Sequence, residues 1–197
     1  MQKLSERDLW PLPIYETVRD QFRREVIAAK QHRRVQAGPE MTLVFENRLT
    51  VKFQVQEILR IENITKPEGI REELEGFNTM IPEPGELSAT LMIELQGPEP
   101  EVAAKLKQLS GLGGHVWLEL GPLRVKARFD EGRDDGKRVS AVQYVRFPVG
   151  ADRSAFANFQ IPAALVVDHP NYRHLTPLTD EARRSLLADL EERAGTA

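Results

Sequence analysis

The sequence predicts an α+β fold: an antiparallel sheet of about four to six strands packed with N-terminal helices and a C-terminal helix. Three observations predict it. In the first third, Tyr15, Val18, Phe22, Val26 and Ala29 recur at helical spacing and form one apolar stripe. From about residue 85 the chain changes to short apolar runs separated by Gly, Pro and Asp clusters, which read as strands and turns. Beyond Thr179 the helical spacing returns through Ala182, Leu186, Leu187 and Leu190. No linker-like stretch divides these parts. The expectation is a single domain over 1–197, with a helical part at about 1–80, a mainly β part at about 85–170 and a last helix at about 179–193.

Taken in order, Ser5 and Asp8 have the spacing of a capped short helix, and Pro11 and Pro13 break the chain before the first long helix, expected over about 14–36. Gly38-Pro39 ends it. Arg19, Arg23, Arg24, Lys30, Arg33 and Arg34 make this helix basic, which reads first as a solvated face and second as an anionic docking surface. Residues 43–45 read as a short strand. The next run supports two readings: Leu49, Val51, Phe53 and Val55 alternate as in a strand, yet 48–64 contains no Gly or Pro and exceeds the usual strand length. Length favours a helix with Asn47 as N-cap, and a hairpin over 42–55 is the alternative.

Lys66-Pro67-Glu68-Gly69 is a break, followed by a short acidic helix over 70–77 and a loop over 81–85. Strands are expected over 87–95, 116–120, 123–129 and 139–147, with a helix over 101–109 inserted after the first. Gly121-Pro122 makes a tight connection, and 130–137 is a polar hairpin loop. A short helix over 152–159 precedes an apolar strand over 163–167, which ends in Asp168-His169-Pro170-Asn171-Tyr172-Arg173-His174. Thr179 caps the last helix.

Composition removes several functions. With no cysteine the chain has no disulfide, no thiolate ligand for zinc or an iron–sulfur cluster and no cysteine nucleophile. A formal net charge of -3 lacks the positive field of a dedicated nucleic-acid binder. No apolar run approaches the roughly 18 residues needed to span a bilayer, and the first residues lack the apolar core of a signal peptide. A cytoplasmic protein without nucleic-acid or membrane partners is the expectation, and homo-oligomer formation stays open.

Two segments carry the candidate chemistry. In 54–60, Gln54, Gln56, Glu57 and Arg60 are set into an apolar background, so they form either a satisfied internal network or the lining of a site. On the functional reading Arg60 meets an anionic ligand, with Gln54 and Gln56 beside it, and Glu57 orients Arg60 or accepts a proton. On the structural reading, which is the favoured one, Glu57 and Arg60 are an internal ion pair. In 168–174, Asp168, His169 and Tyr172 arrive together at a strand end, where Asp168 can bind a ligand and His169 and Tyr172 can act as acid or base. There the structural reading, a capped turn with Tyr172 packed in the core, is again favoured. Metal binding at His169 and His174 ranks behind both, and no cofactor is expected. Gly111-Leu112-Gly113-Gly114 lies before a strand and reads as a turn, not a phosphate loop. Trp10 and Trp117 read as core or interface anchors.

The start Ser5-Glu6-Arg7-Asp8-Leu9, the blocks 43–48 and 53–62, the segment Asn78-Thr79-Met80-Ile81-Pro82 and Val167-Asp168-His169-Pro170 together resemble the bacterial domain-of-unknown-function 3501 family over nearly the whole chain. The resemblance brings no catalytic residues with it. It implies a genomic setting near rubrerythrin-like and iron–sulfur oxidoreductase proteins, and so a redox or peroxide-related context. The chain lacks the Glu-x-x-His pairs of a di-iron bundle. Two functions follow. One is an accessory or interaction protein that docks a redox partner. The other is a small-molecule-binding protein or enzyme with a polar pocket built from 54–60 and 168–174. Convergence of the two segments separates these readings.

Overall fold

The computed structural model describes residues 1–132 and 139–191. The chain opens with one 3₁₀ turn, Glu6–Asp8, closed by the expected box: the Ser5 N–H and hydroxyl both donate to the Asp8 carboxylate, at 2.7 and 2.9 Å. Helix α1, Leu12–Gln31, follows with Pro11 as its N-cap residue. It ends five residues before the expected boundary, because Arg34-Val35-Gln36 is taken into strand β1, with only Val35 of the three buried. Pairing with the next strand, β2 (Met41–Glu46), outweighs the helical propensity of that segment.

Helix α2, Arg48–Ile61, settles the choice left open by sequence in favour of the helix. Its cap is reciprocal: Asn47 Oδ1 accepts from the Thr50 N–H at 3.1 Å, and Thr50 Oγ1 accepts from the Asn47 N–H at 2.9 Å. Helix α3, Pro67–Asn78, begins three residues earlier than expected: Pro67 opens the helix instead of breaking the chain before it, because its missing N–H costs nothing at that position. Strand β3 (Leu87–Ile93) and helix α4 (Glu99–Gln108) come next, then β4 (Val116–Leu120), β5 (Leu123–Lys126), β6 (Arg128–Phe129) and β7 (Val142–Phe147). The single strand expected over 123–129 is divided at Ala127, so that β5 and β6 belong to different sheets. Gly121, at φ +57°, makes the β4–β5 turn where a Cβ would come within 2.9 Å of Ile161. The polar loop expected over 130–137 lies partly outside the described residues. Helix α5 (Arg153–Ala157) leads to β8 (Ala163–His169), β9 (Tyr172–Pro177) and α6 (Asp180–Glu191), while residues 192 and 193 lie outside the described range. Thr179 caps α6 as expected, accepting from the Ala182 N–H at 3.1 Å.

Among the described residues the strands form two antiparallel sheets, one in the order β1-β2-β3-β7-β6 and the other in the order β5-β4-β8-β9. Alternation along β2 explains why all six of its residues are buried. Met41, Leu43 and Phe45 share one hydrophobic cluster with Leu118, Val125 and Leu165 of the second sheet. Thr42, Val44 and Glu46 lie on the opposite face, where Glu46 meets α2. The helices carry their own clusters, centred on Val51, Val55 and Leu74 and on Tyr15, Phe22 and Val26. No described helix is long and apolar enough to cross a membrane.

Two buried arginines tie the last helix down. Arg33 pairs with Asp189 and donates to the carbonyls of Phe45 at 2.9 Å and Glu46 at 3.1 Å. Arg183 donates to the carbonyls of Phe156, Ile161, Ala155 and Asn158 at 2.6–3.0 Å, which closes the C-terminal end of α5.

Candidate functional site

Glu57 is the centre of the first candidate segment. It lies on α2 facing α1, and three side chains converge on its carboxylate. Arg19 donates through Nε and Nη2, both at 2.8 Å. Tyr15 donates its hydroxyl at 2.8 Å, and Arg60, one turn along the same helix, donates more loosely at 3.3 and 3.5 Å. The Arg19 hydrogen bonds outweigh the cost of burial and hold the Glu57 carboxyl at a pKa of about 2. Burial, reinforced by the neighbouring carboxylate, pushes the Tyr15 phenol up. A carboxylate so well supplied with donors stays ionised at neutral pH and is a weak proton acceptor. Tyr15 and Arg19 were not among the candidates read from sequence; their place on the α1 stripe and its basic face was the available signal.

The two glutamines are also paired. Gln54 Nε2 donates to Glu46 at 3.1 Å and to the Thr50 carbonyl at 3.3 Å. Glu46, itself buried, accepts further from the Thr50 and Thr90 hydroxyls at 2.5 and 2.8 Å. Gln56 is fully buried and clamps the backbone of one residue: its oxygen accepts from the Trp10 N–H at 2.6 Å and its nitrogen donates to the Trp10 carbonyl at 3.3 Å.

The segment 168–174 forms a second centre with different neighbours. The strand expected to stop at Val167 continues to His169 and returns as β9, so this segment is a hairpin closed by Pro170 and Asn171. Asp168 is half exposed and pairs with Arg173 across the hairpin at 3.3 Å. His169 is buried, with Nδ1 accepting from the Asn171 N–H at 3.2 Å and Nε2 lying 3.1 Å from the Ser110 carbonyl. The carbonyl contact requires the proton on Nε2. The His115 and His169 rings pack nearly perpendicular, with centroids 5.0 Å apart. Tyr172 donates its hydroxyl to the Ala37 carbonyl at 2.6 Å and accepts from the Glu40 N–H at 3.0 Å, and burial pushes its phenol up. His174 packs on the Tyr172 ring at 4.6 Å and against Gly38.

Among the described residues no hydrogen bond, ion pair or ring contact joins 54–60 to 168–174. Glu57 is held by α1, whereas His169 and Tyr172 are held by the segments around Ser110 and 37–40. No group of three or more His, Asp or Glu side chains among the described residues is arranged to hold a metal ion. The charged face of α1 is smaller than its sequence suggests: Arg19 is engaged by Glu57, and Arg33 and Arg34, which lie beyond the helix, are engaged by Asp189 and Glu94. Arg23 and Arg24 remain exposed on α1, and Glu72 and Glu75 on α3.

A third feature escaped the sequence reading. An apolar cavity of about 400 Å³ lies between the segment before α1, the end of α2 and the start of α3, lined by Trp10, Pro13, Leu59, Ile64 and Ile70 among others. The apolar, proline-stiffened run Leu9-Trp10-Pro11-Leu12-Pro13 was the signal that could have indicated it.

A family described as "Protein of unknown function (DUF3501)" matches residues 3–190. A crystal structure of a novel protein of unknown function from Burkholderia pseudomallei is similar to the chain with a TM-score of 0.88. The two are 33% identical, and the match covers 96% of this chain and 100% of that one. No curated protein matches.

Proposed function

The chain belongs to the DUF3501 family, and from that premise we propose that it is an accessory protein that docks a redox partner. One observation carries the reading: Gln54, Gln56, Glu57 and Arg60 all find their hydrogen-bond partners within the protein. A polar site that binds or reacts needs groups free to meet a ligand, and a ligand for Arg60 would first have to draw it away from Glu57. Arg23 and Arg24 are exposed on α1, where Glu16, Asp20 and Glu25 are exposed as well, and Glu72 and Glu75 are exposed on α3; such charges can steer an encounter with a partner of complementary potential. The partner class, a rubrerythrin-like protein or an iron–sulfur oxidoreductase, follows from the context that the family resemblance implies.

The test is a pull-down at moderate salt with the chain as bait in a bacterium that encodes it. Recovery of a rubrerythrin-like or iron–sulfur oxidoreductase protein, lost on adding salt, is the expected result. Repeated recovery of no oxidoreductase would count against the proposal.

A further inference from the structure

We infer that the cavity between the segment before α1, α2 and α3 is a binding site for a small, neutral, apolar molecule. Its volume of about 400 Å³ falls within the roughly 300–1,000 Å³ of small-molecule sites. A protein partner would need about 800 Å² of surface on this side, more than a cavity of this size presents.

The wall is fixed in advance. Both backbone polar groups of Trp10 are bonded to the fully buried Gln56 amide. Pro11 and Pro13 set the backbone on either side of Leu12. The Trp10 ring is held by the Lys52 ammonium 3.6 Å from its centroid and by the Phe22 ring, nearly perpendicular to it, at 5.0 Å. A wall pinned at backbone and ring does not collapse onto Leu59 and Ile70, so the space is kept open.

Charge selects the occupant. Glu6 is the one charged side chain in the lining among the described residues, and Arg71 lies 3.4 Å from its carboxylate. An anion entering the cavity would face Glu6, and a cation would compete with Arg71. A neutral apolar body meets neither cost and is matched by the remaining lining, in which Thr65 is the one uncharged polar side chain.

The experiment uses the full chain and the neutral fluorescent probe N-phenyl-1-naphthylamine. The expected result is saturable binding of one probe per chain, weakened at least tenfold by Thr65→Phe at the exposed rim and by Ile70→Phe in the wall, in variants whose circular dichroism matches the parent. Leu175→Glu, on the second sheet, leaves binding unchanged. In a Trp117→Phe chain, which keeps Trp10 as the single tryptophan, the probe also shifts the Trp10 emission maximum. Absence of saturable binding, an unshifted Trp10 maximum, or equal binding by a folded Thr65→Phe or Ile70→Phe variant overturns the assignment. The readouts do not involve the redox partner, so this test and the docking proposal fail separately.

Discussion

Arg19 of α1 grips Glu57 of α2 through two hydrogen bonds of 2.8 Å, which tie the two helices together beside the apolar contact of Phe22 with Phe53. The folded Glu57 pKa of about 2 lies below the ordinary 4.5, so its stabilisation is complete above pH 4.5 and is lost as pH falls from there toward 2. Glu57→Gln is expected to cost about 2–3 kcal/mol at pH 7, with the gap to wild type closing on acidification. Urea unfolding at pH 7 and pH 3 measures it. An equal gap at both pH values would contradict the assignment.

The Arg33–Asp189 pair joins the β1–β2 hairpin to α6 in a buried setting. Asp189→Leu leaves the Arg33 guanidinium buried without its carboxylate and is expected to cost about 3–5 kcal/mol, and Arg33→Met also removes the hydrogen bonds to the Phe45 and Glu46 carbonyls. The double variant should recover much of that loss, because two apolar side chains bury no charge. Denaturation of the four chains closes the cycle; additive losses would show that the pair is not coupled.

Gly38 sits at φ +75°, and a Cβ added there would lie 2.4 Å from the His174 ring. Gly38→Ala is expected to cost about 1–3 kcal/mol. His174→Ala in the same chain should restore the steric part and leave the backbone part. Thermal melts that show no recovery would place the whole cost in the backbone.

Gln56→Leu preserves bulk and leaves the Trp10 N–H and carbonyl without their partner. The expected cost is about 1–3 kcal/mol for each buried group, accompanied by a change in Trp10 emission as its segment loosens. A stable variant with unaltered emission would show that the clamp does not fix the segment.

Much of the fold was legible because local chemistry agreed with tertiary structure. Asn47 caps α2 as its type dictates, and the freedom of 48–64 from Gly and Pro correctly favoured a helix, whereas Pro67-Glu68-Gly69, read as part of a break, is the first turn of α3. The failures came where long-range pairing decided. Arg34 to Gln36 resemble a helix end until β2 is beside them, and β9 shows only Tyr172 as a buried residue, too weak a pattern to mark a strand. Site reading met the same limit. The Gln54, Gln56, Glu57 and Arg60 set was recognisable as polar residues needing partners, yet the partners Tyr15, Trp10 and Glu46 are brought in by folding. The pairing of Arg33 with Asp189, 156 positions apart, has no local signal at all.

The most direct test of the docking role is a titration of the chain against a purified rubrerythrin-like protein and a purified iron–sulfur oxidoreductase from the same bacterium. It is run at about 50 and about 300 mM salt, with Arg23→Glu/Arg24→Glu and Glu72→Lys/Glu75→Lys variants alongside. The account predicts saturable binding to one of them, weakened by salt and by one of the two charge reversals. No binding at low salt, or binding indifferent to both reversals, would contradict it.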